Sequence, residues 1–442
     1  MKYLLSLCLL FVLYLPACVP VPAGGSSSTA TSSGVTDNGI YHDQVFHEQV
    51  QTVQLLGPDD EIYEAVVPIT QNYPVRLSFD VLELDGSEGI YEELNVKLIH
   101  CNADWRQSAL YNMDYLNEYN EFPITQEAFS YNTKVPFTHY TFTLPQVKMP
   151  GNYVLQVYQG SDESNVLFTK RYMVYDLAVG IQAEVVRSGG VRERDTHQQV
   201  EFLIDYNKLD IPNPYNDVYV VVRQNQQWFN TIEGLKPTFV REDVKELEYV
   251  DFDLKNNFWG ANEHRFFDLR TTNALGQNVA EIMRDESPVE AYLLPDRSRA
   301  TEAYSQFNDL NGGYITNNLD MPGGGGPLNS DYLMTHFFLY AEEPVEGEVY
   351  VIGAFENRRL TPEVKMKYDA LRQGYTLDVL LKQGFYNYLY YVKNEESKSP
   401  YQFDGSHFET ENLYEIFVYT KPIGARADLL VGYTRLIVNE RP

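Results

Sequence analysis

The sequence predicts an all-β protein built from tandem immunoglobulin-like β-sandwich domains. Three observations carry that reading. Apolar and polar residues alternate with period two at many places along the chain. Aromatic residues make up 14%, with 35 tyrosines and 23 phenylalanines, which strands accommodate better than helices do. Gly, Pro, Asn and Asp break the patterned runs at short intervals, and no long segment carries a clean helical stripe. Strands that alternate in this way are half-buried, so antiparallel sheets with one packed face are expected.

The amino terminus comes first. Lys2 is followed by an apolar run from Tyr3 to Leu15, then by Pro16, Ala17 and Cys18. A basic start, a short apolar stretch and small residues before a cleavage point make residues 1–17 a signal peptide. The run is too short to span a membrane as a helix, and no later run approaches ~18 apolar residues. Leu15-Pro16-Ala17-Cys18 resembles a bacterial lipobox, which implies cleavage before Cys18 and lipidation of Cys18. Residues 18–44 are expected to be a flexible tether, because Val19 to Gly34 is rich in Pro, Ser and Gly. No acidic cluster follows Cys18, which favours a lipid-anchored protein on the periplasmic face of the outer membrane. Of three cysteines, Cys8 leaves with the signal peptide and Cys18 carries lipid. Cys101 is then alone, so the fold relies on its core and not on an internal disulfide.

The body divides into three expected units. Residues 45–176 form an amino-terminal β-sandwich. In Arg76 to Val81, Leu77, Phe79 and Val81 share one face while Ser78 and Asp80 share the other. Asn152 to Tyr158 alternates likewise, and Leu167 to Tyr175 closes the unit. Residues 177–327 form a middle β-rich domain containing Val218 to Arg223. The stretch Met321 to Pro327 places four glycines between prolines, a loop tip or linker. Residues 328–442 form a carboxy-terminal β-sandwich, with strands at Glu348–Gly353, Gly374–Gly384, Phe385–Val392 and Tyr414–Tyr419. Tyr386, Tyr388 and Tyr390 line one face. This unit resembles the small early-set sandwiches found beside or within glycan-acting enzymes. Those modules often stack an aromatic on sugar from one loop, but Gly353 to Arg359 has no tryptophan there.

Charge narrows the partners. Lys and Arg total 34 and Asp and Glu 62, a net charge of −28. A chain this acidic repels nucleic acid and anionic lipid. The excess is spread along the chain, as in a soluble, self-repelling surface.

Reactive residue types gather in His100-Cys101-Asn102-Ala103-Asp104-Trp105. His100 and Cys101 end a strand and point to opposite faces, so they do not pair. Asp104 suits a turn, and Trp105 is large enough to plug a sandwich edge. Asp309 to Tyr314 resembles a calcium loop without its closing glutamate. His407 to Asn412 alternates along a strand start. Asn262 to Asp268 clusters charges that suit an ion-pair network. No Walker loop, nucleophile elbow, zinc-protease helix or dinucleotide fingerprint occurs. No catalytic, metal or cofactor residue is assigned, and the expectation is a protein that is not an enzyme.

An ordered set of short stretches identifies a family. They are His100–Trp105, Ser130–Thr133, His139-Tyr140, Gly151–Tyr158, His197-Gln198, Asn213-Pro214, Gln224-Asn225 with Trp228, Gly260–Asp268, Leu380–Gly384 and Thr410–Tyr414. In this order the chain resembles the type IX secretion system plug proteins, from about Val53 to Ile437. The departures are Gln107, where proline is usual, the glycines at 323–326, and the Ser-rich tether. The resemblance implies a non-enzymatic plug that binds the periplasmic mouth of a large outer-membrane β-barrel and seals it when no cargo is engaged. Several sandwiches in series suit the rigidity this needs. Trp105, Trp228, Trp259 and Arg265 are the residues expected to contact the partner, because tryptophan and arginine dominate interfaces. The alternative is a lipid-anchored glycan-binding protein, which needs a solvent-facing row of aromatics.

Overall fold

The computed structural model describes residues 34–440 except 58–62, 71–73, 84–89, 91–92, 251, 322–324 and 395–397. The expected signal peptide, Cys18 and the tether as far as residue 33 lie outside the described residues. The regular secondary structure of the rest is almost entirely strand, arranged as sandwiches, as the alternation predicts. Helix is limited to short turns such as Asn112–Tyr115 and Pro214–Asp217. Among the described residues no helix is long and apolar enough to cross a membrane.

The first unit packs two sheets. One has the order Val50–Leu56, Arg76–Leu82, Phe137–Thr143, Gln126–Phe129. The other runs Gln44–Val45, Val166–Tyr175, Gly151–Gln159, Leu94–Cys101, Phe122–Pro123. Leu77, Phe79 and Val81 meet Leu98, Leu155, Val157 and Phe168 in one core. Pairing is antiparallel apart from Val66–Pro68, which runs parallel to the end of Val166–Tyr175. The expected tether ends sooner than residue 44. Thr36–Asp37 pairs with Ile40–Tyr41, and Gln44–Val45 joins the second sheet. Asp43 is 3% exposed and accepts the backbone N–H of Arg171 at 2.6 Å, so this segment belongs to the folded body.

The division expected at residue 327 is not where the sheets part. One sheet of the second unit runs Gly180–Arg187, His197–Asp205, Glu246–Tyr249, Phe239–Arg241, with Asn257–Trp259 also paired to His197–Asp205. The other runs Thr231–Glu233, Val218–Gln224, Asn412–Thr420, Leu429–Val438. The last strands of the chain therefore complete the second unit, and the third is inserted within it. In the third, Gly384–Lys393 pairs with Arg265–Asp268, Tyr314–Thr316 and Glu348–Ile352. Its other sheet runs Val279–Met283, Val289–Leu293, Tyr332–Tyr340, Gly374–Lys382, Lys367–Asp369. The glycine-rich stretch, described at Gly325 and Gly326, is a loop inside the third unit. A Gly/Pro run marks a loop, but only long-range pairing decides which sheet its neighbours join. Two crossovers connect the second and third units, and they touch. A Cβ on Gly260 would lie 2.0 Å from the His407 carbonyl oxygen, so only glycine permits the approach.

The units are packed against one another as closely as within themselves. Asn152–Tyr158 was expected to be half-buried, yet every residue of it is buried. Tyr153, Leu155 and Val157 face the first unit's own core. Val154, with Ile99, Cys101 and Met173, packs instead on Val221, Phe417, Tyr419 and Leu430 of the second unit. Burying each such side chain is worth about 1.5–3 kcal/mol, so this seam is a core. The opposite sheet of the first unit is covered by the third. Asp80, expected on a polar face, is fully buried and bonded to Tyr332 at 2.6 Å, His139 at 2.6 Å and Lys382. Asp331 accepts the backbone N–H groups of Lys134 and Val135.

Candidate functional site at the junction of three units

The stretch from His100 holds no reactive constellation. Cys101 is fully buried and burial pushes its thiol well up, which disfavours the thiolate. His100, on the other face, bonds Ser108 at 3.0 Å. Burial pulls its imidazole down to about 4, so it is neutral. Its ring fills the space beside Gly151, where a Cβ would lie 2.3 Å from Nε2. Asp104 caps the turn by accepting the Arg106 N–H at 3.1 Å. Among the described residues no three His, Cys, Asp or Glu side chains gather to hold a metal ion.

Trp105 is where the structure departs most from the expected partner contacts. It adopts a left-handed backbone with φ 62°, which folds the ring inward to 3% exposure. There it meets Trp228 edge-on at 5.0 Å between ring centres. The Arg171 guanidinium lies 4.3 Å from the Trp105 ring and 4.8 Å from the Trp228 ring, and Arg223 lies 4.4 Å from Trp228. Desolvated contacts of this kind reach about 2 kcal/mol each. Trp105 and Arg171 belong to the first unit, Trp228 and Arg223 to the second. The two tryptophans therefore weld units together, Trp105 buried and Trp228 half-buried.

Charges surround this ladder. Glu64 of the first unit pairs with Lys170 at 3.0 Å and with Arg223 at 3.4 Å. Arg223 is fully buried and donates Nε to Glu415 at 2.8 Å. Arg358, from the third unit, is buried against the same group. Burial pushes the Glu64 carboxyl up, but Lys170, Arg223 and Arg358 outweigh it and hold it at about 2. Burial pulls Lys170 down, and Asp43 with Glu64 more than reverses that. One cluster thus ties all three units. Beside it, a cleft of about 670 Å³ separates residues 43–53 from the segment 355–363 and from residues 378–380 of the strand Gly374–Lys382. None of these charged residues was singled out from the sequence. Their signal was there: a charge inside an otherwise apolar strand, as at Arg223 after Val218 to Val222, or Glu415 between Tyr414 and Ile416.

The remaining expected contacts are also engaged internally. Trp259 pairs with His197 across a strand, with ring centres 4.0 Å apart. Arg265 bonds Asp404 and Asp296 at 2.7 Å each. Arg299 joins Asp404 at 2.9 Å, giving the ion-pair network that Asn262 to Asp268 suggests. Nearby, Glu263 is fully buried between the crossovers, and burial raises its carboxyl to about 7. Tyr386, Tyr388 and Tyr390 do share a face, but it is the interior one, at 3% exposure or less. The hydroxyls of Tyr388 and Tyr390 both donate to Asp296.

Comparison with known proteins finds one relative of the whole architecture and one family model for its first unit. No curated protein matches the chain. It is similar to a hypothetical protein from Parabacteroides merdae ATCC 43184 of known crystal structure, with 28% identity and a TM-score of 0.83, covering 90% of this chain and 99% of that one. Residues 50–176 match the model of the type 9 secretion system plug protein 1st domain, and they coincide with the first sandwich. Residues 50–176 thus carry the likeness to the type IX secretion system plug proteins, as their first domain.

Proposed function

We propose that the protein is a non-enzymatic plug of the type IX translocon, which binds the periplasmic mouth of a large outer-membrane β-barrel and seals it when no cargo is engaged. The first-domain match supports a role in type IX secretion at the cell envelope, structural in kind. The observation that carries the finer reading is the first unit's double cover, by the second unit on one sheet and the third on the other. A stopper must keep its shape while it closes an opening, and a body with buried seams does so. Release follows when the cargo-loaded barrel binds the plug less well than the empty barrel does. Lipidation at Cys18 would hold the plug at the membrane's periplasmic face. The glycan-binding alternative loses its main support, because its aromatic row lies in the third unit's core.

Gentle detergent extraction of outer membranes carrying the tagged protein, followed by mass spectrometry, tests this. A giant β-barrel in near-equal amount is expected. Recovery of the protein alone, or with polysaccharide-uptake components, overturns the reading.

A further inference from the structure

One stretch of the first unit has features the fold does not require. Residues 107–133 contain no Lys, Arg or His, and carry Asp114, Glu118, Glu121 and Glu127. The same stretch leaves large side chains in solvent: Tyr111 at 73% exposure, Met113 at 84%, Tyr119 at 80%, Phe129 at 68% and Tyr131 at 51%. Tyrosine, methionine and phenylalanine in one surface region are the composition of protein interfaces.

The topology gathers these residues along one side. Phe122–Pro123 is the outermost strand of one sheet and Gln126–Phe129 the outermost of the other. Two residues link them, and Phe122 reaches Phe142 of the facing sheet at 6.2 Å between ring centres. The segment therefore walks along the open edge of the sandwich. At one end Tyr111 lies under Arg426 of the second unit, and at the other Tyr131 bonds Leu328 of the third. Among the described residues Gln126–Phe129 pairs on one side only, with Phe137–Thr143, which leaves its other backbone edge open. Sheet edges of this kind are usually blunted by lysine or proline along the strand, and Gln126 to Phe129 has neither. The two cations that touch the region are already committed: Arg426 to Asp114, and Lys148 to the Met113 carbonyl.

We propose that this edge, from Tyr111 to Tyr131, is the docking surface of the plug, and that it takes a basic, apolar segment of the barrel's periplasmic rim. The inference rests on the plug reading above. The aromatics supply contact area, and the uniform negative charge selects a Lys- or Arg-bearing partner and speeds its approach. Trp105, Trp228, Trp259 and Arg265 are then replaced as contact residues by exposed ones.

The test repeats the membrane extraction with the full-length protein in three forms. These are the parent, Tyr119→Ser with Phe129→Ser, and Glu118→Lys with Glu121→Lys and Glu127→Lys. A control pair, Val191→Ser with Leu371→Ser, removes comparably exposed apolar groups elsewhere. Far-ultraviolet circular dichroism and the unfolding temperature of each purified variant confirm the fold. Loss of co-eluting barrel by about tenfold or more in both edge variants, with the control like the parent, is expected. Parent recovery should also fall as salt is raised. If folded edge variants retain the barrel like the parent, the surface assignment fails while the plug reading stands. If the parent itself recovers no barrel, the plug reading fails and takes this inference with it.

Discussion

Single residues decide how tightly the units are held. Arg223 is fully buried, and its removal would strand the Glu415 and Glu64 carboxylates in the junction. Arg223→Met should lower unfolding free energy by about 3–5 kcal/mol, read by chemical denaturation. The double variant Arg223→Met with Glu415→Leu should recover much of that, because the uncompensated charge goes with it. Glu263 acts in the other direction. Its carboxyl accepts from the Tyr304 hydroxyl and the Glu411 N–H, with Asp309 and His264 close by. Burial raises it from 4.5 to about 7, so the folded protein binds a proton that the unfolded chain releases in that window. Stability from this group is therefore highest below pH 4.5 and falls as pH rises towards 7. Glu263→Gln should match the parent near pH 4 and exceed it above pH 7, by roughly 3 kcal/mol at most. Unfolding temperatures measured from pH 4 to 8 check the sign. A parent curve parallel to the variant's would show that folding leaves the Glu263 carboxyl unshifted.

Elements are held by close approaches that leave no room for a methyl group. Gly151 opens the strand Gly151–Gln159 directly against the His100 ring. Gly151→Ala should cost about 1–3 kcal/mol through displacement of that ring, and thermal unfolding measures it. At this scale the sequence was most legible. Leu77, Phe79 and Val81 share a buried face as their spacing predicts, and so do Tyr386, Tyr388 and Tyr390. What spacing does not carry is the environment of the opposite face. Asp80 and Asn152 occupy the polar side of their strands, and both are buried because another unit covers them. Period two reports that two faces differ, and a polar residue reads the same whether water or a partner's tyrosine satisfies it. The charged junction was hidden for the same reason. Lys170, Arg223 and Glu415 lie on three different strands and Glu64 on an isolated bridge, and only the assembled sheets bring them together.

At the scale of the whole molecule, shared cores should make the units unfold as one. Differential scanning calorimetry of residues 34–442 should show one cooperative transition, with calorimetric and van't Hoff enthalpies equal. Lys382→Met, which removes one of the two bonds from Asp80 to the third unit, should lower that transition without splitting it. Two separated peaks in the parent would contradict welded seams. The nested chain path also sets an order in time. The second unit begins at Gly180, is interrupted by the third, and is finished only by Asn412–Thr420 and Leu429–Val438. Those two strands supply Phe417, Tyr419 and Leu430, which cover Ile99, Val154 and Met173 of the first unit. A chain emerging amino terminus first thus carries an uncovered greasy sheet for some 240 residues of synthesis or export. The seam is closed only when the final hairpin arrives, so a chain truncated before Asn412 should be left with most of that apolar face bare.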